Sequence, residues 1–582
     1  MTLRVKFRIS PRIIQSAAIA VLMASVAGCA GLSEFGGASS KNPYGEYLSA
    51  RHAAAINEPK IAQKYFDKTL ASDAKNPIVL ERAFMSAIYA ADMRRAVSLA
   101  GQIIKIAPDH RMARLVLALD DIRDGDYKQA QAQIGSAETG VFAALVGSLT
   151  QAWAAAGEGN REAALTKLKT FEGKPAFDLF RTYHTAEILD LLGDKAGAEK
   201  AYAEAMDASG ATSIRIVQAY ASFQSRQGEM DKGMATLKAF LALSPQHPLA
   251  LADYNRLKSG KALRPLVSNA SEGVAEALYG LGSALAQEPG SDLAVLYLRL
   301  AIWMRPDFNV AHTLLADTYE QKKLWADAIA SYGRVSKSSA LYPNSRIQAA
   351  IDLNHLDRQP EAIAMLKALA AEDPKSVEPY VALGDIYRAK ENYAEAAAQY
   401  AHALQLAGSP QPSHWSLYYA RGICKERLGK WADAEADLKL ALKLSNDHPL
   451  VLNYLGYSWI EQGIHLEEAL AMIEKAVELR PTDGFIVDSL GWAQYRLGDY
   501  AQSVQVLQRA VELEPSDSTI NDHLGDAFWK VGRKIEARFQ WSHALEMKPE
   551  EDRIKILKTK IQLGLEAGEA AEHHQPAART GS

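Results

Sequence analysis

The sequence has few cysteines and little net charge. Only two cysteines, Cys29 and Cys424, occur among 582 residues, and they lie far apart in the chain. Two distant thiols argue against a disulfide framework and against a structural zinc site. The formal net charge of −4 provides no long-range attraction towards nucleic acid. The sequence therefore predicts neither a disulfide-rich protein nor a nucleic-acid-binding protein.

Sequence motifs of common enzymes are also missing. The chain has no His-Glu-x-x-His pair for zinc, no phosphate-binding Gly-x-x-x-x-Gly-Lys-Ser/Thr loop and no Gly-x-Ser-x-Gly elbow. No stretch with β-strand periodicity is long enough to build an α/β catalytic domain. Cys424 is expected to be a half-buried structural thiol and not a nucleophile. We predict that the protein is not an enzyme and that it needs no cofactor or metal.

The sequence nevertheless has the composition of a folded protein and contains a strict internal period. Hydrophobic residues make up 48% of the chain and charged residues 23%, which excludes a disordered chain. Within 484–549, Leu490-Gly491, Ala510 and Pro515 recur 34 residues later as Leu524-Gly525, Ala544 and Pro549. A chain of this length is too long for one compact core, but a stack of repeats needs none.

This period resembles the tetratricopeptide repeat (TPR), a pair of antiparallel helices. The resemblance implies an all-α fold, a TPR α-solenoid in which helix pairs stack into a right-handed superhelix. In the best-defined unit we expect the first helix to end at Leu497. Gly498 is expected to supply the positive φ of the turn, and Asp499 to cap the second helix.

A small residue near the start of each second helix follows the same period along most of the chain. It occurs at Ala62, Ala96, Ala130, Ala164, Ala198, Gly233, Ala294, Ala328, Ala362, Ala396, Ala434, Ala469, Ser503 and Ala537. This pattern predicts about fourteen helix pairs, six before and eight after a longer step of 61 residues between Gly233 and Ala294. The longer step contains either a joint between two superhelical segments or a degenerate extra pair.

The N-terminal residues resemble a bacterial lipoprotein signal. A basic segment (Arg4, Lys6, Arg8, Arg12) precedes a short apolar run from Ile13 to Ala27, which is too short to span a membrane. Val26-Ala27-Gly28-Cys29 is similar to a lipobox, and the resemblance implies that Cys29 is lipidated. The alternatives are an ordinary signal peptide with a coincidental cysteine, or a retained membrane helix. Ala30, in place of the Asp that retains lipoproteins at the inner membrane, favours an outer-membrane protein facing the periplasm.

These observations predict a domain organisation for the whole chain. The segments are a signal peptide (1–28), a lipidated flexible tether (29–43), a degenerate N-terminal TPR segment (44–249), a joint or linker (250–274), a C-terminal TPR array (275–549), a capping helix (550–567) and a disordered tail (568–582). In the capping helix, Ile554, Leu557 and Ile561 are expected to point inward. Lys555, Lys558 and Lys560 are expected to point outward.

In TPR proteins the first helices line a groove that binds partners, and the resemblance transfers this role to the C-terminal repeats. The candidate groove residues are Asn453, Tyr457, Phe485, Asp488, Trp492, Tyr495, Arg496, Asp522, Asp526, Trp529 and Lys530. Carboxylates and an amide beside aromatic rings suit an extended peptide, with the rings packing against its side chains. Alternatively, Trp492 and Trp529 pack between adjacent repeats.

Three runs of the C-terminal repeats carry a closer resemblance. NYLGYSWIEQG (453–463), DSLGWAQYRLGDY (488–500) and DHLGDAFWKVGR (522–533) resemble outer-membrane TPR lipoproteins of the LbcA type. Those proteins are adaptors that hold carboxyl-terminal processing proteases and their substrates, often peptidoglycan hydrolases. The resemblance implies a membrane-anchored scaffold that binds proteins or peptides and no small-molecule substrate. The alternative is a structural or assembly scaffold of an envelope or polysaccharide-export complex.

Overall fold

The chain folds into α-helices throughout the part that the structure describes. The computed structural model describes residues 43–135, 141–172, 175–288 and 290–573. These residues contain 31 α-helices and one 3₁₀ turn, Pro412–His414, and no β-strand is found among them. The predicted all-α fold is confirmed. The described residues divide into two compact units, one ending at Asp352 and the other beginning at Leu353.

The first unit consists of helices that follow one another with short connections. They are α1 (Pro43–Ala55), α2 (Pro59–Ser72), α3 (Pro77–Tyr89), α4 (Met93–Ile106), α5 (Arg111–Asp124), α6 (Tyr127–Ile134), α7 (Val141–Gly157), α8 (Arg161–Lys169), α9 (Pro175–Leu191), α10 (Lys195–Ser209), α11 (Ile214–Arg226), α12 (Met230–Leu243), α13 (Pro248–Lys258), α14 (Ala270–Leu285), α15 (Asp292–Met304), α16 (Asn309–Gln321), α17 (Trp325–Tyr332) and α18 (Tyr342–His355), whose last residues belong to the second unit.

The second unit continues in the same way to the last described residue. Its helices are α19 (Gln359–Glu372), α20 (Glu378–Ala389), α21 (Tyr393–Ala407), α22 (Trp415–Arg427), α23 (Trp431–Ser445), α24 (Pro449–Gln462), α25 (Leu466–Leu479), α26 (Gly484–Leu497), α27 (Tyr500–Leu513), α28 (Ser518–Lys530), α29 (Lys534–Glu546), α30 (Glu551–Leu563) and α31 (Leu565–His573).

The periodic small residues mark the helix pairs as expected. Each of the fourteen lies on the second helix of a pair, from Ala62 on α2 to Ala537 on α29, and each is buried. The best-defined unit shows why. A side chain on Gly491 would collide with Leu507, since its Cβ would lie 2.5 Å from Leu507 Cγ. The hydroxyl of Ser503 donates a hydrogen bond to the Gly491 carbonyl across the same contact, at 2.7 Å. Small residues therefore let paired helices approach closely.

The predicted helix ends of this unit are also present. α26 ends at Leu497, and Gly498 follows with a φ of +88°, in the left-handed region that favours glycine. The side chain of Asp499 then accepts a hydrogen bond from the backbone N–H of Gln502, 3.2 Å away, and caps α27. The sequence signals of this repeat correspond to the local structure.

The longer step between the sixth and seventh pairs contains one helix, α13, and a non-helical segment at 261–269. Leu263 and Val267 in that segment are buried. The segment leads into α14, which contacts α5, α7 and α9, the first helices of three earlier pairs. The longer step between the sixth and seventh helix pairs therefore contains a single unpaired helix and a packed non-helical segment. The boundary between the compact units falls later in the chain, after Asp352.

Two glycines allow α14 to lie against those earlier helices. A Cβ on Gly273 would lie 2.3 Å from the ring of Trp153 on α7. Seven residues later on the same face, a Cβ on Gly280 would lie 2.9 Å from the ring of Phe180 on α9. Only glycine fits at such distances. The first-helix surface of these N-terminal pairs is therefore filled by a helix of the same chain.

A buried ion pair also binds α14 to α11. The Arg215 guanidinium donates two hydrogen bonds to the carboxylate of Glu276, one of them from Nε to Oε2 at 3.1 Å. Glu276 is only 2% exposed. Removing one partner of such a pair leaves an uncompensated buried charge, which costs about 3–5 kcal/mol. The pair therefore ties the position of α14 to α11.

The C-terminal end of the array differs from the prediction in two ways. Lys560 on α30 is buried, with 2% exposure, so its expected outward direction is wrong. Leu557 is buried as predicted, and Lys560 lies three residues later on the same helix face. The chain is also helical through α31 to His573, so the disordered tail does not begin at Gly568. Residues 574–582 lie outside the described part of the chain.

The predicted signal peptide, Cys29 and residues 29–42 of the tether also lie outside the described residues, and Pro43 begins α1. Among the described helices, none is long and apolar enough to span a lipid bilayer. The lipid anchor at Cys29 therefore stays a prediction.

Candidate binding surface of the C-terminal repeats

All the candidate groove residues lie on three successive first helices, α24, α26 and α28. α24 contacts α26, and α26 contacts α28. Side chains of α30 join the same surface, as described below. We call the surface formed by the side chains of α24, α26, α28 and α30 the first-helix face. Its polar groups are arranged as pairs that connect one repeat to the next.

The first of these pairs connects α24 with α26. The indole Nε1 of Trp492 donates a hydrogen bond to Glu461 Oε1 at 2.5 Å, and Arg496 donates to the same oxygen from Nη1 at 3.0 Å. The Trp492 ring also stacks on Tyr495 of its own helix, with ring centroids 4.7 Å apart. Trp492 is therefore fixed between repeats, and Tyr495 is buried beneath it. This geometry favours the packing alternative for Trp492.

The second pair connects α26 with α28. His523 Nδ1 lies 3.0 Å from Asp488 Oδ1, and the imidazole stacks on Trp492 with centroids 4.0 Å apart. Burial by itself lowers the pKa of His523, but the charge of Asp488 outweighs burial, so the pKa lies above its usual value. The imidazole of His523 is therefore protonated more readily than that of a free histidine side chain. Asp488 is buried at 7% exposure and already has a partner.

The third connection joins α28 to α30 through one lysine and two aspartates. Lys560 Nζ lies 2.7 Å from Asp522 Oδ1 and 2.8 Å from both oxygens of Asp526. Arg553 also pairs with Asp522, at 2.7 Å, and Trp541 donates its indole N–H to Asp526 at 2.8 Å. All three members of the central cluster are at least nine-tenths buried. Buried charges are tolerated only in such paired arrangements.

The pKa values of the two aspartates differ because Arg553 adds a second cation beside Asp522 and none beside Asp526. Burial raises the pKa of Asp522, but the charges of Lys560 and Arg553 outweigh it, so the pKa lies below its usual value. Burial raises the pKa of Asp526 to about 6, with Lys560 opposing the shift and Asp522 adding to it. Asp526 is therefore the member that takes up a proton first as the pH falls.

These contacts change the interpretation of three candidate carboxylates. Asp488, Asp522 and Asp526 are buried and accept hydrogen bonds from the chain itself, so their predicted accessibility to a partner is wrong for this conformation. For Asp522 and Asp526 the reason is that α30 supplies cations opposite α28, which the outward direction expected for Lys560 did not allow. For Asp488 the reason is the pairing with His523 of α28. A role in partner binding for these three residues stays a prediction.

Trp529 and Lys530 at the end of α28 face α31. The Trp529 indole donates to both oxygens of Glu566 at 3.2 Å, and Lys530 lies 3.9 Å from Glu569. Trp529 also packs against Trp541, with centroids 5.3 Å apart. Like Trp492, Trp529 is thus held between successive elements, which again favours packing.

The remaining candidates form the open part of the first-helix face. Phe485 is 47% exposed at the start of α26. Asn453 and Tyr457 are partly exposed on α24, and the amide oxygen of Asn453 has no hydrogen-bond partner among the described residues. Burial and the carboxylates of Glu461 and Asp488 raise the pKa of Tyr457, so its phenol stays protonated and can donate. We call Asn453, Tyr457 and Phe485 the open patch.

Sequence reasoning missed four residues that build this surface, namely Glu461, His523, Arg553 and Lys560. Glu461 follows Tyr457 by four residues, and Lys560 follows Leu557 by three, so helical spacing placed both on faces already recognised as important. His523 precedes Leu524 in the repeat signature, and no local pattern marks it as the partner of Asp488. That pairing depends on how α26 and α28 stack.

The described residues offer no arrangement suited to a metal. No group of three or more His, Cys, Asp or Glu side chains among them could hold a metal ion. Burial raises the pKa of the Cys424 thiol to about 11, so the thiol is protonated at neutral pH. A buried, protonated thiol is a poor nucleophile.

Comparison with known families agrees with the helix pairs. The tetratricopeptide-repeat family TPR_16 matches residues 348–412, 381–449, 419–484 and 489–549, about a third of the chain. The chain contains tetratricopeptide repeats. The matched residues include Asn453, Tyr457, Asp522 and Asp526, whereas Phe485, Arg553 and Lys560 lie outside the matched ranges. The TPR α-solenoid is thereby shown, and TPR repeats form protein-interaction scaffolds.

A curated relative carries the same repeats. The chain is similar to the TPR repeat-containing protein PA4667 of Pseudomonas aeruginosa, with 29% identity over 196 residues. The match covers 34% of this chain, and it spans about a third (32%) of the length of the relative.

Solved structures of TPR proteins align with most or part of the chain at low similarity. Yeast Tom70 aligns over 92% of this chain and 97% of its own, with 13% identity and a TM-score of 0.34. A tetratricopeptide repeat protein from Parabacteroides merdae covers 45% of this chain and 98% of its own, with 15% identity and a TM-score of 0.36.

Proposed function

We propose that the protein is a lipid-anchored, non-catalytic adaptor that binds other proteins through the open patch of its C-terminal repeats. The observation that carries the proposal is the patch itself. A half-exposed aromatic ring, a partly exposed phenol and a buried amide oxygen without a partner lie on the first-helix face, where many of the other polar groups are already paired. The pairs hold the surface in place, so a partner need not pay the entropy of ordering it.

The patch suits an extended segment of another protein. Phe485 offers apolar area to a side chain of the partner, and Tyr457 offers a donor to a carbonyl of its backbone. The amide of Asn453 would gain a hydrogen bond if its oxygen turned towards a backbone N–H, which removes the cost of an unsatisfied acceptor. A few such contacts usually carry most of the binding free energy.

The proposed location is the periplasmic face of the outer membrane, with the anchor at Cys29. Lipidation at that cysteine would restrict the protein to the membrane surface and raise the effective concentration of two partners bound to it. The resemblance of residues 453–533 to LbcA-type lipoproteins supports a specific pair of partners. One would be a carboxyl-terminal processing protease, and the other its cell-wall hydrolase substrates.

The test of this proposal is capture from the solubilised envelope of the source bacterium. A soluble Cys29→Ala form would be compared with the same form carrying Tyr457→Ala and Phe485→Ala, with mass spectrometry identifying the bound proteins. We expect a serine protease and cell-wall hydrolases to bind the first form and to be lost from the second. Capture of export machinery instead would support the structural scaffold, and equal capture by both forms would contradict a role for the open patch.

The anchor has a separate test. Growth with an alkyne-labelled fatty acid should label the wild-type protein and leave Cys29→Ala unlabelled. A labelled Cys29→Ala protein, or an unlabelled wild type beside labelled control lipoproteins, would contradict lipidation at Cys29.

A further inference from the structure

Two large apolar side chains are exposed on the second helix of the last repeat. Ile535 is 83% exposed and Phe539 is 67% exposed on α29. They are four residues apart, so they lie on one helix face. They remain exposed although α30 and α31 already cover the end of the array, with Trp541 and Leu557 buried in the intervening core.

The preceding repeats carry small or polar residues at the same positions. Ile535 and Phe539 lie two residues before and two after the buried Ala537. The corresponding exposed positions of the three preceding second helices are Ala501 and Gln505, Glu467 and Ala471, and Ala432 and Ala436. The last repeat is therefore the place where this row becomes strongly apolar. Folding does not explain the change, because neither side chain is buried.

A basic row lies beside the apolar one. Lys534 and Arg538 each precede an apolar residue by one position, and both lie over the ring of Trp529, at 4.9 and 5.2 Å. Neither forms an ion pair with a carboxylate among the described residues. On the other flank Glu536 is already paired with Arg533, at 3.1 Å. We call Lys534, Ile535, Arg538 and Phe539 the α29 patch.

We propose that the α29 patch is a second docking surface, which binds an acidic amphipathic helix of a partner protein. Apolar side chains at i and i+4 of such a helix would cover Ile535 and Phe539, and carboxylates on the adjacent row would meet Lys534 and Arg538. Charge complementarity is the reason to choose this occupant, because the unpaired charges beside the apolar row are both positive. The contact would lie on second helices and would be independent of the open patch.

The ring of Phe539 already contacts another ring of its own helix. It stacks on His543 one turn later on the same helix, with the ring planes only 4° apart and centroids separated by 6.4 Å. The Arg538 Nε donates to the Ile561 carbonyl at 2.9 Å, which ties the basic row to α30. An aromatic side chain whose position is already defined costs little entropy on binding.

The test uses two synthetic helical peptides with leucines at i and i+4, one with glutamates on the adjacent row and one with lysines there. Binding to the soluble Cys29→Ala chain would be measured by fluorescence anisotropy at low and high salt. We expect the acidic peptide to bind at least tenfold more tightly than the basic one, with weaker binding at high salt. Lys534→Glu with Arg538→Glu should reverse the preference, and Ile535→Ser with Phe539→Ser should abolish binding of both.

The controls separate this surface from the others. Ala501→Ser with Gln505→Ser, on the same row one repeat earlier, should leave binding unchanged, as should Phe485→Ala in the open patch. Equal binding of the two peptides, or binding that survives Ile535→Ser with Phe539→Ser, would overturn the proposal. A dimer in sedimentation velocity that this double variant dissolves would instead identify a second copy as the occupant. Binding of the Cys29→Ala chain to phosphatidylglycerol vesicles that Ile535→Ser with Phe539→Ser abolishes would identify a membrane surface as the occupant. A dimer or a membrane as the occupant would also overturn the proposal.

Discussion

The two compact units use their first helices differently. In the first unit, α14 lies against α5, α7 and α9, and its glycines face the rings of Trp153 and Phe180. In the second unit, the first helices carry a series of side-chain pairs and leave the open patch exposed. The first-helix surface of the repeats is thus covered by a helix in one unit and is a candidate binding surface in the other.

The two units also differ in how their buried charged side chains are compensated. Around α14, Glu276 is paired with Arg215 and lies 4.0 Å from Arg305, while Glu187 is 2% exposed and has an oxygen without a hydrogen-bond partner. Burial, with the nearby charges of Glu276 and Asp190, raises the pKa of Glu187 to about 8. In the second unit Lys560 compensates two aspartates at once. The first unit therefore contains a costly acid, and the second contains a balanced cluster.

The largest expected effect is in the first unit. Arg215→Met leaves the buried Glu276 with only the more distant Arg305, 4.0 Å away, so we expect a loss of about 3–5 kcal/mol of unfolding free energy. Hydrogen–deuterium exchange should speed up in peptides from α11 and α14 and stay unchanged in those from α28. Arg358→Met, which removes an exposed pair with Glu361, is the matched control and should leave the unfolding free energy nearly unchanged. Faster exchange in both units would contradict their separation.

A smaller loss is expected when the cluster of the second unit is broken. Lys560→Met should cost about 3 kcal/mol, because two buried carboxylates lose their cation while Arg553 still compensates Asp522. The loss should show as faster exchange in α28 and α30. Lys558→Met, an exposed lysine of the same helix, is the control. Unchanged exchange in Lys560→Met would show that Lys560 is not part of a stabilising cluster.

The buried acid of the first unit should make stability depend on pH. The folded pKa of Glu187, about 8, lies above its unfolded value of 4.5, so its stabilising contribution is full below 4.5 and is lost as the pH rises towards 8. The gain in unfolding free energy of Glu187→Gln over wild type should therefore be larger at pH 8.5 than at pH 5. Thermal unfolding at both values measures this difference. A pH-independent difference would contradict burial of the charged form.

The histidine of the second unit should give the smallest effect. The pKa of His523 is raised in the folded state, so its ionic contribution is present below the unfolded value of 6.5 and is lost as the pH rises through the folded pKa. His523→Gln should cost more unfolding free energy at pH 5.5 than at pH 9. Stacking on Trp492 is lost at both values, so only the difference between them reports the charge. An equal cost at both would contradict an ionic pair with Asp488.

The repeat period was sufficient to predict the helix pairs, because small residues such as Gly491 and Ser503 record a local requirement for close packing. It was also sufficient to place the candidate residues on α24, α26 and α28, but it did not include α30 in the same surface. It was not sufficient to separate paired side chains from open ones, since Asp522 and Lys560 lie 38 residues apart and meet only through stacking. The contact of Gly273 with Trp153 spans 120 positions, and no local pattern marks it.

The most direct test of the central claim is site-specific photocrosslinking in the intact envelope. A benzophenone amino acid would replace Phe485 in the open patch or, as a control, Gln505, which is exposed on a second helix. We predict that the probe at 485 forms a defined adduct with a partner protein and that the probe at 505 forms none. Adducts of equal yield at both positions, or none at 485 while the partner is still captured, would contradict binding through the open patch.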